Sequence, residues 1–120
     1  YISVTGLQTC ALPISLMSVC TGAFILEKAG LLVGKKATTF HRAIPRLREK
    51  AKQTEVLENV RWVDNGQIVT TAGVSAGIDG ALHIVERMWG SGAAAATARY
   101  MEYDKWKPEE GVVVAKKNDK

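Results

Sequence analysis

The chain has 120 residues, 47% of them hydrophobic, which suits one domain with a real core. Its two cysteines share no metal-ligand spacing with each other or with His41 and His83, which argues against both a zinc site and a disulfide framework. The net charge is +4, and no apolar run approaches ~18 residues, so no membrane-spanning segment is expected.

Residues 1–15 mix Gly6, Gln8, Thr9, Cys10 and Pro13 without a sustained helical or strand period. They read as a non-native leader or assembly scar, with a genuine irregular N-terminal arm as the alternative. Cys10 carries no function in this reading. Residues 16–20 are expected to form a short buried strand that turns sharply at Cys20 into a helix over 23–29, ended by Gly30. That helix is apolar nearly all round through Phe24, Ile25 and Leu26, so burial on more than one side is expected. Residues 34–36 form a polar turn, and 36–38 a second short strand.

Pro45 places the start of the next helix near His41, because proline is tolerated only in the first helical turn. Ile44, Leu47 and Ala51 form a narrow apolar stripe. Arg42, Arg46, Arg48, Lys50 and Lys52 lie on the other faces; without interleaved aromatics they read as a solvated surface, not as a nucleic-acid site. Two β-rich runs, 60–64 and 67–71, bracket Asn65-Gly66, a strong hairpin signal. A small-residue loop over 71–77 then leads into a helix, with Ser75 as the candidate N-cap. Ile78, Leu82, Val85 and Trp89 recur on one face, which reads as its core side, and His83 falls on the polar side. The segment Gly90-Ser91-Gly92 breaks this helix. A last helix over 93–102 carries Ala96, Tyr100 and Tyr103 on one side, with Ser91 as its cap. Residues 105–120 read as a charged, frayed tail, with an edge strand at 112–115 as the alternative. The order of strand, helix, strand, helix, hairpin and two helices is an α/β order, most simply a partly parallel sheet flanked by helices.

Chemistry concentrates behind the strands. A cysteine on a strand-to-helix turn has its thiol exposed, with backbone N–H groups aimed at it that favour thiolate. A buried structural cysteine is the alternative for Cys20. His41 reads either as a base or proton shuttle or as a polar cap. The N–H of Thr21 could help hold an oxyanion. Ala72, Gly73, Val74 and Ser75 would supply a backbone-rich wall. Asp79 is explained by its place in the first turn of a helix.

From Ser18 to Asp104 the chain resembles the ThiJ/PfpI family of the class I glutamine amidotransferase-like superfamily. The carriers are Ser18-Val19-Cys20-Thr21-Gly22-Ala23-Phe24, Ala29-Gly30-Leu31-Leu32 with Gly34-Lys35, and Ala37-Thr38-Thr39. They continue with Val60-Arg61-Trp62-Val63-Asp64, then Gly66, then Thr71-Ala72-Gly73-Val74-Ser75-Ala76-Gly77-Ile78-Asp79, and close with Ala98-Arg99-Tyr100-Met101-Glu102-Tyr103. The isocyanide-hydratase-like branch is the nearest in appearance, and its members also serve as ligand domains of AraC-type regulators.

The resemblance implies a flavodoxin-like sandwich, here incomplete, with its N-terminal strands and helices missing. It implies Cys20 as the reactive thiol, Thr21 beside it, and a pocket lined by Gly22 and the Ala72–Ser75 loop. It implies a small-molecule substrate, a homodimer when intact, and no metal or organic cofactor. A cytoplasmic location is expected. In many relatives a histidine directly follows the paired threonines. Here Phe40 intervenes, and one residue is a rotation of about 100° on a helix, so the histidine's role does not carry over cleanly to His41. The family's acidic partner of the cysteine lies in the half that this chain lacks, so the chain alone is expected to be inactive. The expected function of the intact protein is a cofactor-independent, cysteine-dependent hydratase or hydrolase acting on a small electrophile. The alternatives are a ligand-sensing regulator domain and a thiol-based stress sensor.

Overall fold

A computed structural model of the chain describes residues 15–114. The N-terminal segment that contains Cys10 lies outside the described residues. The main sheet is built from β1 (Leu16–Ser18), β4 (Trp62–Asp64), β5 (Ile68–Thr71) and β6 (Val112–Val113), in the order β1-β5-β4-β6. Parallel pairing joins β1 to β5, with Leu16 opposite Ile68 and Ser18 opposite Thr70. Antiparallel pairing joins β4 to β5, and β6 lies parallel to β4. A second small parallel sheet pairs β2 (Lys36–Ala37) with β3 (Glu55–Val56). The helices are α1 (Ala23–Lys28), α2 (Ile44–Lys50), α3 (Ala76–Trp89) and α4 (Ser91–Tyr100).

The hairpin forms where the Asn-Gly signal stands, but one residue later. The N–H of Asn65 donates to the carbonyl of Ile68 at 2.8 Å, so the two-residue loop is Gly66-Gln67. Gly66 has φ +95 at the first central position, where a II′-type hairpin turn takes glycine. The side chain of Asn65 is thereby freed to bridge to Lys36, donating to its carbonyl at 2.6 Å. This ties the hairpin to β2.

Two apolar clusters hold the layers together. Ala23, Ile44, Leu47, Ala51 and Val56 form one, joined by Phe24; Leu26, Leu32, Ala37 and Ile68 form the other, joined by Leu16 and Leu31. The stripe of α2 is therefore buried as its spacing predicts. Pro45 sits in the first turn of α2, but His41–Ala43 is a tighter 3-10 turn, and regular helix starts only at Ile44. Helix α1 is buried on more than one side as expected, through Ala23 in one cluster and Leu26 in the other, but Ile25 is 66% exposed. Phe24 is capped by the Arg46 guanidinium 4.8 Å above its ring, so a charged face of α2 serves as an apolar cover.

Helix α3 departs most from its hydrophobic pattern. Its buried residues are Ala76, Asp79, Gly80, Leu82 and His83, whereas Trp89 is 67% exposed and Ile78 also faces solvent. Close approach explains the rotation. A Cβ on Gly80 would strike the Thr71 methyl, and one on Gly77 would lie 2.8 Å from Val19. The helix can settle this near the sheet only with its smallest residues inward, and Asp79 and His83 come with them.

The C-terminal elements shift as well. Gly90, at φ +99, precedes α4, so Ser91 is its first residue rather than its cap. Ala94 and Ala98 are the buried residues of α4, and Tyr100 is exposed. Within the segment read as a charged tail, a 3-10 turn spans Pro108–Glu110, and β6 forms at the sheet edge where a strand over 112–115 was the alternative. Gly111 lies so close to the Trp62 indole that no Cβ would fit.

Candidate functional site

Cys20 follows β1 and opens a 3-10 turn, Cys20–Gly22, before α1. Its φ is +59, a left-handed conformation that is uncommon for a residue with a Cβ. Two hydrogen bonds hold it there. Its N–H donates to the carbonyl of Ala72 at 3.1 Å, and its carbonyl accepts from the Thr39 hydroxyl at 2.7 Å. The side chain of Cys20 is partly exposed and carries no disulfide. Thr21 is exposed, and Gly22 turns back so that its N–H reaches the carbonyl of Val19 at 2.9 Å.

A cavity of about 910 Å³ opens beside this elbow. It is lined by residues 38–41, 58–61, 72–75 and 109–112, with Ile44. Ala72, Gly73, Val74 and Ser75 are among the lining residues, as is His41, whose ring stands edge-on to Phe40 with centroids 4.6 Å apart. Cys20, Thr21 and Gly22 lie outside this lining, on the 3-10 turn between β1 and α1. Phe40 fills the space where a Cβ on Gly73 would sit, which explains a glycine there. Val74 has φ +44, a strained value for a β-branched residue, and is 79% exposed.

Ser75 stands at the N-cap of α3 but makes no capping hydrogen bond with its side chain. Its hydroxyl instead accepts from Arg61 Nη2 at 3.0 Å. Arg61 Nε donates to Asp79 Oδ2 at 2.9 Å, and the Tyr103 hydroxyl donates to the same carboxylate at 3.1 Å. Asp79 is 2% exposed. Burial lowers the guanidinium's affinity for its proton, but the hydrogen bond and charge of Asp79 outweigh this and raise the Arg61 pKa. Burial, then the charge of Asp79, raise that of Tyr103. Arg61 is thus fixed in the cavity wall by two residues behind it.

A second buried polar cluster lies under β4. His83, expected on the solvated face, is 5% exposed, stacked on Trp62 at 3.7 Å, with Nε2 at 2.6 Å from Asp64 Oδ2. Arg87 Nη1 reaches both Asp64 oxygens at 3.2 Å, and the N–H of Gly66 donates to Oδ1 at 2.6 Å. Neither cluster is visible as a motif. The one signal that could have pointed to them is Asp79-Gly80 with His83 on a single helical face, a polar stripe beside a glycine that lets a helix approach a sheet closely.

A sheet flanked by helices, with a cysteine on a left-handed turn directly after a strand, places the chain among α/β proteins of flavodoxin-like fold. The DJ-1/PfpI family model matches residues 12–87, and the chain belongs to that family. It is 37% identical over 89 residues to isonitrile hydratase of Pseudomonas putida, an alignment covering 72% of this chain and 36% of that protein. It is 34% identical over 77 residues to the HTH-type transcriptional regulator CdhR of Pseudomonas aeruginosa, covering 64% of this chain and 23% of the regulator. Among solved structures, a ThiJ/PfpI family protein from Pseudomonas syringae superposes with a TM-score of 0.66 at 33% identity, over 78% of this chain and 38% of that one. Drosophila melanogaster DJ-1beta gives the same TM-score at 18% identity, covering 84% of this chain and 52% of its own, and so shares the fold. The chain spans about a third of the length of the hydratase and a quarter of that of the regulator. Among the described residues no helix is long and apolar enough to cross a membrane, and no group of three or more His, Cys, Asp or Glu could hold a metal ion.

Proposed function

We propose that the protein is a cysteine-dependent hydratase acting on a small electrophile, with an isonitrile as the first candidate substrate. The observation that carries this reading is Cys20 at φ +59, pinned between Ala72 and Thr39 at the edge of a cavity. Its relation to isonitrile hydratase supports the substrate class. In this reading the Cys20 sulfur adds to the terminal isonitrile carbon, which takes up a proton, giving a thioimidate. Water then adds to that carbon, the carbon–sulfur bond breaks, the thiol is restored and an N-substituted formamide leaves. Thr21 and neighbouring amides stabilise the developing charge, and the Ala72–Ser75 loop holds the substrate. His41, in the cavity lining, is assigned a role there rather than at the sulfur. A homodimer and a cytoplasmic location belong to the same proposal.

The test is thiol chemistry. Cys20 is expected to alkylate with iodoacetamide at pH 7 faster than free cysteine, with the site read by peptide mass to separate it from Cys10. In a protein that carries the whole domain, an isonitrile is expected to yield its formamide, and Cys20→Ala to abolish the yield. An ordinary alkylation rate together with no formamide would overturn the reading. The similarity to CdhR favours a second reading, a ligand-sensing domain using the same cavity without turnover. Ligand binding that survives Cys20→Ala, with no product, would select it.

A further inference from the structure

We infer that Thr39 is a positioning residue for Cys20: its hydroxyl clamps the elbow carbonyl and so sets the direction of the thiol. The inference rests on the reactive-cysteine reading above and concerns a residue that sequence reasoning left without a role. A left-handed backbone at a residue with a Cβ persists only where its surroundings over-determine it. At Cys20 those surroundings are two hydrogen bonds, one on each side of the α-carbon. The N–H is held by Ala72, and the carbonyl is held by Thr39 at 2.7 Å. Thr39 is 1% exposed, so water cannot readily take over as donor to that carbonyl.

The clamp has a rigid base. The N–H of Thr38 donates to Thr70 Oγ1 at 2.9 Å, which fastens the segment to β5. One residue before it, the carbonyl of Ala37 accepts from the N–H of Leu57 at 2.8 Å. One residue after Thr39, the Phe40 ring packs against Gly73 in the loop that also binds the Cys20 N–H. Elbow, threonine segment and cavity loop are therefore mutually tied, and the Thr39 hydroxyl is the tie between the first two. Loss of that hydroxyl leaves the Cys20 carbonyl without its donor and lets the turn relax away from φ +59. The thiol would move with it, and small displacements of a reacting group are costly.

The experiment compares Cys20 alkylation rates in the 120-residue chain, resolved by peptide mass. Thr39→Val keeps the shape and removes the donor, Thr39→Ala removes it without adding a methyl, and Thr39→Ser keeps the hydroxyl. Circular dichroism and tryptophan emission at the assay temperature report the folded fraction, and rates are compared per folded molecule. Wild type and Thr39→Ser are expected to react fast, with whichever of the Val and Ala variants folds slower by roughly tenfold. Thr54→Val, which removes a hydroxyl bonded to the Leu32 carbonyl away from the elbow, is expected to react like wild type. A fast wild type with equally fast Val or Ala variants overturns the Thr39 inference alone. A wild type no faster than free cysteine overturns this inference, because no enhanced reactivity is then left for Thr39 to set; the hydratase reading falls with it only if no formamide forms either. A Ser variant as slow as Val, at full folded fraction, also overturns it, because the hydroxyl would then not be the operative group.

Discussion

At the scale of single residues, the polar groups inside the molecule carry the most information. Asp64 is 3% exposed yet has four hydrogen-bonding contacts, from His83, Gly66 and both oxygens' approach to Arg87. An ionised carboxylate only accepts, so the His83 Nε2 donates to it. Removing the charge leaves those donors facing an amide. Asp64→Asn is expected to lose roughly 3 kcal/mol in urea unfolding, the usual scale for breaking a buried charged pair. His83 illustrates why such residues resist reading from sequence. Its neighbours at helical spacing, Asp79 and Arg87, suggest a solvated face, and nothing local announces that the aspartate it needs lies 19 positions earlier. Cys20 is the opposite case, since a cysteine between an apolar strand and Thr-Gly is a local signal.

At the scale of elements, close approach decides what hydrophobic periodicity does not. The stripe of Ile78, Leu82, Val85 and Trp89 is regular, but a helix that presented it would have to stand off the sheet. Gly80 against Thr71 and Met17 lets α3 come in on its small-residue face instead. Gly80→Ala is therefore expected to destabilise the protein by about 1–3 kcal/mol through overpacking. Gly92→Ala, in α4 with nothing near its Cβ position, is expected to be neutral or to stabilise by up to about 1 kcal/mol. Chemical denaturation of the two variants side by side checks this; equal effects would mean that helix propensity rather than contact governs α3. The hairpin shows the same division on a smaller scale. Asn-Gly identifies the turn, but the loop is Gly66-Gln67, and Asn65 pairs with Ile68 while its side chain bonds to Lys36.

At the scale of the whole molecule, the Asp64 cluster joins the β4–β5 hairpin to α3, so its protonation bears on global stability. Burial alone would raise the Asp64 pKa, but hydrogen bonds from His83 and Gly66 and the charge of Arg87 more than offset it and hold the carboxyl below its ordinary range. The folded pKa is therefore lower than the unfolded one. The stabilisation is complete above the unfolded value, about 3.9, and is lost as pH falls through the folded pKa. Acid unfolding below about pH 4 is expected to be shallower in Asp64→Asn than in wild type when followed by tryptophan emission. Coincident acid limbs would show that other carboxylates control the transition.

Local chemistry in the chain was enough to determine the alternation of strands and helices, the hairpin, the Cys20 elbow, the buried stripe of α2 and the small-residue loop that lines the cavity. Each depends on residues within a few positions of one another: an apolar run, a turn residue, a proline in a first helical turn. Only the tertiary structure decided which face of α3 is buried, that residues 112–113 complete the sheet, and that Thr39, Arg61, Asp79 and Tyr103 belong to the surroundings of the site. Those outcomes depend on hydrogen bonds across 18 to 24 positions and on the room left by a glycine, as between Arg61 and Asp79 or Tyr103 and Asp79. A buried polar group is tolerated only when its partner is present in space, and sequence spacing carries no record of which distant partner that is.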